Sequence, residues 1–335
     1  MIKGKKISVV IPCYNEETQI YKVLDTLPET VDTAYVVDDV STDKTVEVVK
    51  DFIKKNPESK TEVVLIELEV NSGVGAAICA GYKATLEAGH DVSVVMAGDG
   101  QMPPEQFDDI VMPVVNGDTD YAKANRLYYP DAWDIVPKKR FLGNSVLSML
   151  TKIASGYWNI ADSQTGFTAI NREALELIQW DQVYKRYGYP NDVLVRLNLY
   201  NLRVMDVPVK PIYDVGEQSK LKISKVIPRM SWLIFKMFIW RLYNKYVIHN
   251  FHILVIFYFL GALLSFIGLG LFVRMIVMLF VNGYLPPVNT LGWGLCTITA
   301  LQFLLFAMFF DMEDNKKLSV FRKDILQRQK REQDE

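Results

Sequence analysis

Asp99-Gly100-Gln101 follows a short apolar run, Val92-Ser93-Val94-Val95-Met96, and leads into Met102-Pro103-Pro104-Glu105. A continuous apolar run bounded by glycine and proline suits a buried parallel strand. Ligands of open α/β sheets bind just outside the carboxyl ends of such strands, and Gly98 and Gly100 let the chain bend there. A carboxylate and an amide oxygen two residues apart can point the same way, and hard cations take oxygen ligands. Asp99 and Gln101 are therefore expected to form a Mg2+ or Mn2+ site that holds a diphosphate. The competing expectation is an Asp that caps a helix starting near Pro103.

The elements that must position this stretch alternate. Ile7 to Ile11 reads as a buried strand with Pro12-Cys13-Tyr14-Asn15-Glu16 as its exit loop, and Glu17 to Leu27 as a helix with Ile20, Val23, Leu24 and Leu27 on one face. Thr33 to Val37 is a second strand ending in Asp38-Asp39-Val40-Ser41-Thr42-Asp43, where Ser41 or Thr42 can cap the following helix. Val63 to Leu68 is a third strand, and Asn71-Ser72-Gly73-Val74-Gly75 opens a small-residue helix running to about Ala88. Four alternations predict a mostly parallel α/β sheet covered on both faces. Polar strand ends then gather along one edge. Asp39 can accept hydrogen bonds from a ribose or base there, or cap a helix. The bare backbone at Gly73 and Gly75 would let something anionic or planar come close.

Beyond Glu105, a helix over Phe107 to Val115, a strand over Tyr121 to Asn125 and a helix from Arg140 to about Ala154 are expected. Asp162-Ser163-Gln164-Thr165-Gly166-Phe167 is a second polar cluster, followed by a short strand and a helix from Arg172. Another helix follows Asp192, another strand covers Val204 to Val209, and Tyr213 to Lys225 is a basic loop with Ser219 and Lys220.

A formal net charge of −2 gives no basic field for nucleic acid. Cys13, Cys79 and Cys296 have neither disulfide nor metal-ligand spacing, which suits reduced thiols facing a cytosol. No apolar h-region follows the charged N-terminus, so no signal peptide is expected.

From Val226 the composition changes. Val226 to His249 mixes tryptophan, phenylalanine and tyrosine with Arg229, Lys236, Arg241 and Lys245, as in a helix lying in a membrane interface. Ile253 to Val273 and Thr290 to Phe310 carry no charge, and each is long enough to span a hydrocarbon core of ~30 Å. No Lys or Arg occurs from Met275 to Asn315, whereas the tail from Lys316 is rich in both. By the positive-inside rule, both ends of a two-span hairpin in the plasma or an equivalent membrane are cytoplasmic. The expected organisation is a cytoplasmic catalytic domain over 1–225, an interface helix over 226–250, a transmembrane hairpin over 251–311 and a basic tail over 312–335. Homo-oligomer formation stays open, since no obvious small-xxx-small face settles it.

Five stretches in order, Val9-Val10-Ile11-Pro12-Cys13-Tyr14-Asn15-Glu16-Glu17, Asp38 to Asp43, Asn71-x-Gly73-x-Gly75-x-Ala77, Asp99-Gly100-Gln101-x-Pro103-Pro104-Glu105 and Asp162 to Phe167, together resemble the family 2 glycosyltransferases of GT-A fold, in the dolichol-phosphate mannose synthase-like branch. The resemblance implies a metal-dependent, inverting transfer of one sugar from a nucleotide diphosphate sugar to a polyprenyl or dolichyl phosphate at a lipid bilayer. It implies that Pro12, Tyr14, Asn15, Glu16 and Asp39 contact the nucleoside, with Asn71 and Gly73 against it, and that Asp99 and Gln101 ligate the metal. Arg126 and Arg140 are similar to the family's residues for the acceptor phosphate, with Ser219 and Lys220 closing over it. Ala97 stands where the family usually has a second acid, Val40 where glycine is usual, and Ser72 where a basic residue is common.

A phosphate acceptor is largely dianionic near pH 7. It needs positioning and charge neutralisation more than a strong base; Asp162 is the candidate for a base or a sugar-hydroxyl acceptor if one is used, the competing expectation being an acid that fixes its own loop. A catalytically inactive, membrane-anchored sugar-nucleotide-binding subunit, with Ala97 as its mark, is the alternative. A processive polysaccharide synthase is excluded by the missing Gln-x-x-Arg-Trp motif.

Overall fold

The computed structural model describes residues 1–129, 138–210, 212 and 223–321; the side chains of 138–140 and 223–227 lie outside that description. Its first half alternates as expected: β1 (Ile7–Cys13), α1 (Ile20–Asp25), β2 (Thr33–Asp38), α2 (Thr45–Lys55), β3 (Glu62–Glu67), α3 (Val74–Glu87) and β4 (Val92–Val95). Then come α4 (Phe107–Val115), β5 (Tyr121–Asn125), α5 (Lys138–Ser155), β6 (Thr168–Asn171), α6 (Arg172–Leu177), α7 (Tyr189–Leu199) and β7 (Val204–Pro208). The described strands form one sheet in the order β3-β2-β1-β4-β6-β5-β7-β8, the last being Ser319–Val320. β1 to β4 pair in parallel, whereas β6 runs antiparallel between β4 and β5.

Every residue of β1, β2 and β4 is buried, which is what a strand covered on both faces requires. α1, α2 and α4 pack one face, through residues such as Ile20, Val49, Phe52 and Ile110. α3 and α7 pack the other, around Ile78, Tyr82, Val193 and Leu197. Several expected boundaries move. α7 starts at Tyr189 and not after Asp192, with Pro190 in its first turn. α1 starts at Ile20 because Glu16 to Gln19 form its entry turn, with Gln19 N and Ile20 N both donating to Glu16 O. Neither Ser41 nor Thr42 caps α2. Asp43 serves that end instead, accepting from Thr45 N at 3.0 Å and Thr45 Oγ1 at 2.6 Å.

The chain divides into two compact units, residues 1–238 with 317–335 and residues 239–316. α8 (Ile223–Tyr243) begins in the first and ends in the second, and a π-helical turn, Asn244–His249, follows it. The second unit is mostly α9 (Leu254–Asn282) and α10 (Pro287–Asn315), two antiparallel helices long and apolar enough to cross a membrane. Phe259, Phe266, Phe280, Leu291 and Leu295 are among many large apolar side chains exposed along them, unlike the helices of a soluble core. Gly261 brings the pair together: a Cβ there would lie 2.8 Å from Leu304 Cγ. At one end of the hairpin, buried Arg241 donates twice to Asp311, NH1 to Oδ1 and NH2 to Oδ2, both at 2.9 Å.

Candidate active site

The loops leaving β1, β2 and β3 are stitched into one surface. Asp39 N donates to Cys13 O at 2.9 Å. Asn15 N donates to Ser41 Oγ at 2.9 Å, while Asn15 Oδ1 accepts from Thr42 N at 2.8 Å. Glu16 N donates to Thr45 Oγ1 at 2.8 Å. Asp39, almost fully buried, clamps the next loop: Oδ1 accepts from Ser72 N at 2.7 Å, Oδ2 from Gly73 N at 2.8 Å, and its carbonyl from Asn71 Nδ2 at 2.8 Å. Asp39 thus preorganises the Asn71 loop. The side chains of Asn15 and Asn71 also fasten loops.

Val40 has φ +62°, a left-handed conformation that a β-branched residue rarely adopts. The fold keeps at Val40 the backbone that glycine would take without strain. The open backbone expected at Gly73 and Gly75 has a different occupant from the one anticipated. A Cβ on Gly73, whose φ is +98°, would lie 2.7 Å from Lys185 O, and one on Gly75 would lie 2.6 Å from Tyr184 O. The close neighbour is the chain's own segment before α7, whose Lys185 O also accepts from Ala76 N at 3.1 Å.

The loop after β4 packs against the β1 exit, since a Cβ on Gly98 would meet Cys13 Sγ at 2.7 Å. Asp99 Oδ1 accepts from Gln101 N at 3.1 Å, fixing a turn that Gly100 closes at φ +70°. Asp99 therefore shapes its own loop and is not a cap for the helix near Pro103, whose first turn has no side-chain cap. A cleft opens between this loop and the Asp162 loop, lined by Asp99, Gln101, Met102, Pro103, Ala124, Arg126, Thr165, Gly166, Phe167 and Val209. Asp99, Gln101 and Arg126 all line it.

Arg126 is held from behind. Its Nε donates to Asp162 Oδ2 at 2.7 Å and its NH2 to Asp162 Oδ1 at 3.1 Å, in a fork-to-fork pair. Asp162 is fully buried, and its Oδ1 also accepts from Gln164 N at 3.1 Å. Burial alone would raise its pKa, but Arg126, Lys123 and the Gln164 amide bring the carboxyl down to about 2. A carboxylate so held is a poor proton acceptor near pH 7. Asp162 anchors Arg126, the loop-fixing role expected of it beside that of a base. Gln164 Nε2 and Thr151 Oγ1 both donate to Asn191 Oδ1, tying this loop to α5 and α7. Arg140 falls within α5, but its side chain, like all of Ser219 and Lys220, lies outside the described residues.

Among the described residues, no three His, Cys, Asp or Glu side chains converge as a metal cluster. With Ala97 in place of an acid, the available set is one carboxylate and one amide, both half-buried at the cleft. That set is too sparse for a cage made of protein alone. It fits Mg2+ or Mn2+ when substrate oxygens and water fill most of the shell.

Two charged residues escaped the sequence reading, Lys123, wholly buried on β5, and Asp206, half-buried on β7. The signal was a charge inside each strand, in Tyr121-Ala122-Lys123-Ala124-Asn125 and Val204-Met205-Asp206-Val207-Pro208.

A sheet of this topology with its polar strand ends around one cleft defines a GT-A glycosyltransferase. The model of the family described as glycosyl transferase family 2 matches residues 8–178, and the chain belongs to that family. A UDP-N-acetylglucosamine–dolichyl-phosphate N-acetylglucosaminyltransferase from Methanococcus voltae is 31% identical over 218 residues, 62% of this chain and 86% of the relative. An undecaprenyl-phosphate mannosyltransferase from Micrococcus luteus is 28% identical over 219 residues, 64% of this chain and 87% of the relative. Among solved structures, a glucosyl-3-phosphoglycerate synthase from Mycobacterium tuberculosis, in complex with Mn2+, UDP and phosphoglyceric acid, superposes with a TM-score of 0.52 at 20% identity. The match covers 71% of this chain and 78% of that one, and shows the shared fold.

Proposed function

We propose that the protein transfers a single sugar from a GDP- or UDP-linked donor to a polyprenyl or dolichyl phosphate, with inversion at the anomeric carbon. The observation that carries this reading is the cleft in which Asp99 and Gln101 lie with Arg126, an anionic-donor side and a cationic side of one small space. The activities for which the two relatives are named agree with it.

In this reading the β1, β2 and β3 loops, through Pro12, Tyr14, Asn15, Glu16, Asp39 and Asn71, receive the nucleoside, and Gly73, closed off by Lys185, only shapes the last of them. Asp99 and Gln101 hold Mg2+ or Mn2+, which when bound supplies charge neutralisation of the leaving diphosphate. Arg126, fixed by Asp162, orients the acceptor phosphate through a planar fork, joined by Arg140, Ser219 and Lys220. An oxygen of the phosphate forms the new bond to the anomeric carbon as the bond to the donor diphosphate breaks. No proton need leave the dianion, so the site requires no strong base.

α9 and α10 span the bilayer with the catalytic domain and tail on the cytoplasmic side, and α8 lies at the interface where a lipid phosphate is found. Ala97 favours one second reading, a sugar-nucleotide-binding subunit without turnover. A panel of UDP- and GDP-sugars, incubated with membranes containing the protein, polyprenyl phosphate and Mn2+ or Mg2+, separates the two. Sugar recovered on the lipid with one donor supports transfer; nucleotide binding with no lipid product from any donor supports the subunit.

A further inference from the structure

Behind Arg126 lies a buried group of polar side chains for which neither the fold nor the transfer chemistry described so far has a use. Lys123 and Asp206 stand opposite each other in the β5–β7 register, on the sheet face that also carries Asn125. Lys123 is wholly buried, and its Nζ donates to the main-chain oxygen of Asp162. Asp206 Oδ2 accepts from Ala161 N at 2.7 Å and from Asn125 Nδ2 at 3.0 Å. Asn125 Oδ1 in turn accepts from Leu127 N at 3.0 Å. One carboxylate therefore grips the residue before Asp162 and the residue before Arg126, while Lys123 grips Asp162 itself.

For stability alone this is a poor choice, because well-packed apolar side chains often serve a buried position as well as or better than buried charges do. The contacts fall on Asp162 itself or on the residues next to Asp162 and Arg126 in the chain. We infer that Lys123 and Asp206 are positioning residues for the acceptor phosphate, setting the place of the Arg126 guanidinium through Asp162, Asn125 and Ala161. The inference rests on the reading of Arg126 as an acceptor-phosphate residue. Burial raises Asp206 to about 7 and lowers Lys123. Both shifts favour the uncharged forms, so the task falls to the hydrogen-bonding oxygen of Asp206 more than to its charge.

The test uses the full chain in detergent and two binding constants, one for a polyprenyl phosphate and one for UDP or GDP with Mn2+. Asp206→Ala and Lys123→Met are each expected to weaken polyprenyl phosphate binding about tenfold, as befits losing hydrogen bonds that orient a charged group, and to leave nucleotide binding within about twofold. Asp206→Asn, which keeps an accepting oxygen, is expected to restore acceptor binding. Equal losses for nucleotide and acceptor in both variants would show a general support of the fold and overturn the inference. So would unchanged acceptor binding in both, or an Asp206→Asn variant as weak as Asp206→Ala. Arg126→Gln separates the two levels. If it weakens acceptor binding while the Lys123 and Asp206 variants do not, only the present inference fails; if it has no effect, the acceptor reading of Arg126 fails as well.

Discussion

Arg126 and Asp162 lie 36 residues apart in sequence and meet through two parallel bonds, at 2.7 and 3.1 Å, with the carboxylate wholly buried and the guanidinium at the cleft. The pair turns a long, mobile side chain into a fixed planar donor. Lysine keeps the charge but not the fork. Arg126→Lys is expected to raise KM for the lipid phosphate roughly tenfold or more, in keeping with the worth of a charge-assisted hydrogen bond, with KM for the donor sugar nucleotide little changed. Steady-state kinetics with each substrate varied in turn checks this, and equal effects on both constants would contradict it.

The same pair sets a limit at acid pH. The Asp162 pKa is about 2 in the folded chain against an ordinary 3.8, so its contribution to stability is present above about pH 4 and is lost as pH falls through 2. The difference corresponds to about 2 kcal/mol. Asp206 has the opposite sign. Raised to about 7, it makes the folded state hold a proton that the unfolded state releases, so stability declines as pH rises from about 4 to about 7. Asp206→Asn removes that decline. Thermal unfolding from pH 4 to 8 should show the variant gaining on the wild type as pH rises, with a constant difference above about 7. A difference independent of pH would count against the assignment.

The parallel half of the sheet was legible because its strands are apolar runs that end in proline, glycine or an acid, as at Val92 to Gly100. Asp99 and Gln101 were singled out by their place after β4, whereas Arg126, which lines the same cleft, was singled out only by the family resemblance. What stayed hidden depends on pairing across the sheet. Nothing local says that β6 inserts antiparallel beside β4, and Lys123 acquires meaning only when β7 sets Asp206 opposite it. Gly73 and Gly75 looked like a ligand cradle, because a sequence does not reveal that the segment at Tyr184 and Lys185 fills the space. Gly261, which admits Leu304 in the hairpin, stands four residues before Ser265, a small-xxx-small pair too short to mark a packing face by itself.

In the second unit, Arg241 and Asp311 are both fully buried, and Asp311 Oδ1 also accepts from Tyr246 Oη at 3.0 Å. Removing one partner leaves a buried charge uncompensated. Arg241→Met is expected to destabilise by about 3–5 kcal/mol, and Arg241→Met combined with Asp311→Leu to recover much of that loss. Unfolding of the detergent-solubilised protein measures both. A double variant no more stable than the single one would show that the network does more than balance charge.

The central claim is that Asp99 and Gln101 serve a metal-dependent transfer onto a lipid phosphate. The most direct measurement is radiolabelled sugar passing into the organic phase, comparing wild type and Asp99→Ala in membranes with polyprenyl phosphate, a panel of UDP- and GDP-sugars and titrated Mn2+ or Mg2+. Wild type is expected to label the lipid with one donor, to stop when EDTA removes the metal, and to recover on its return. Asp99→Ala is expected to lose transfer by a factor of about a hundred or more, the scale of losing a main electrostatic support of the leaving group. Near-normal labelling by Asp99→Ala, or labelling indifferent to EDTA, would contradict the account.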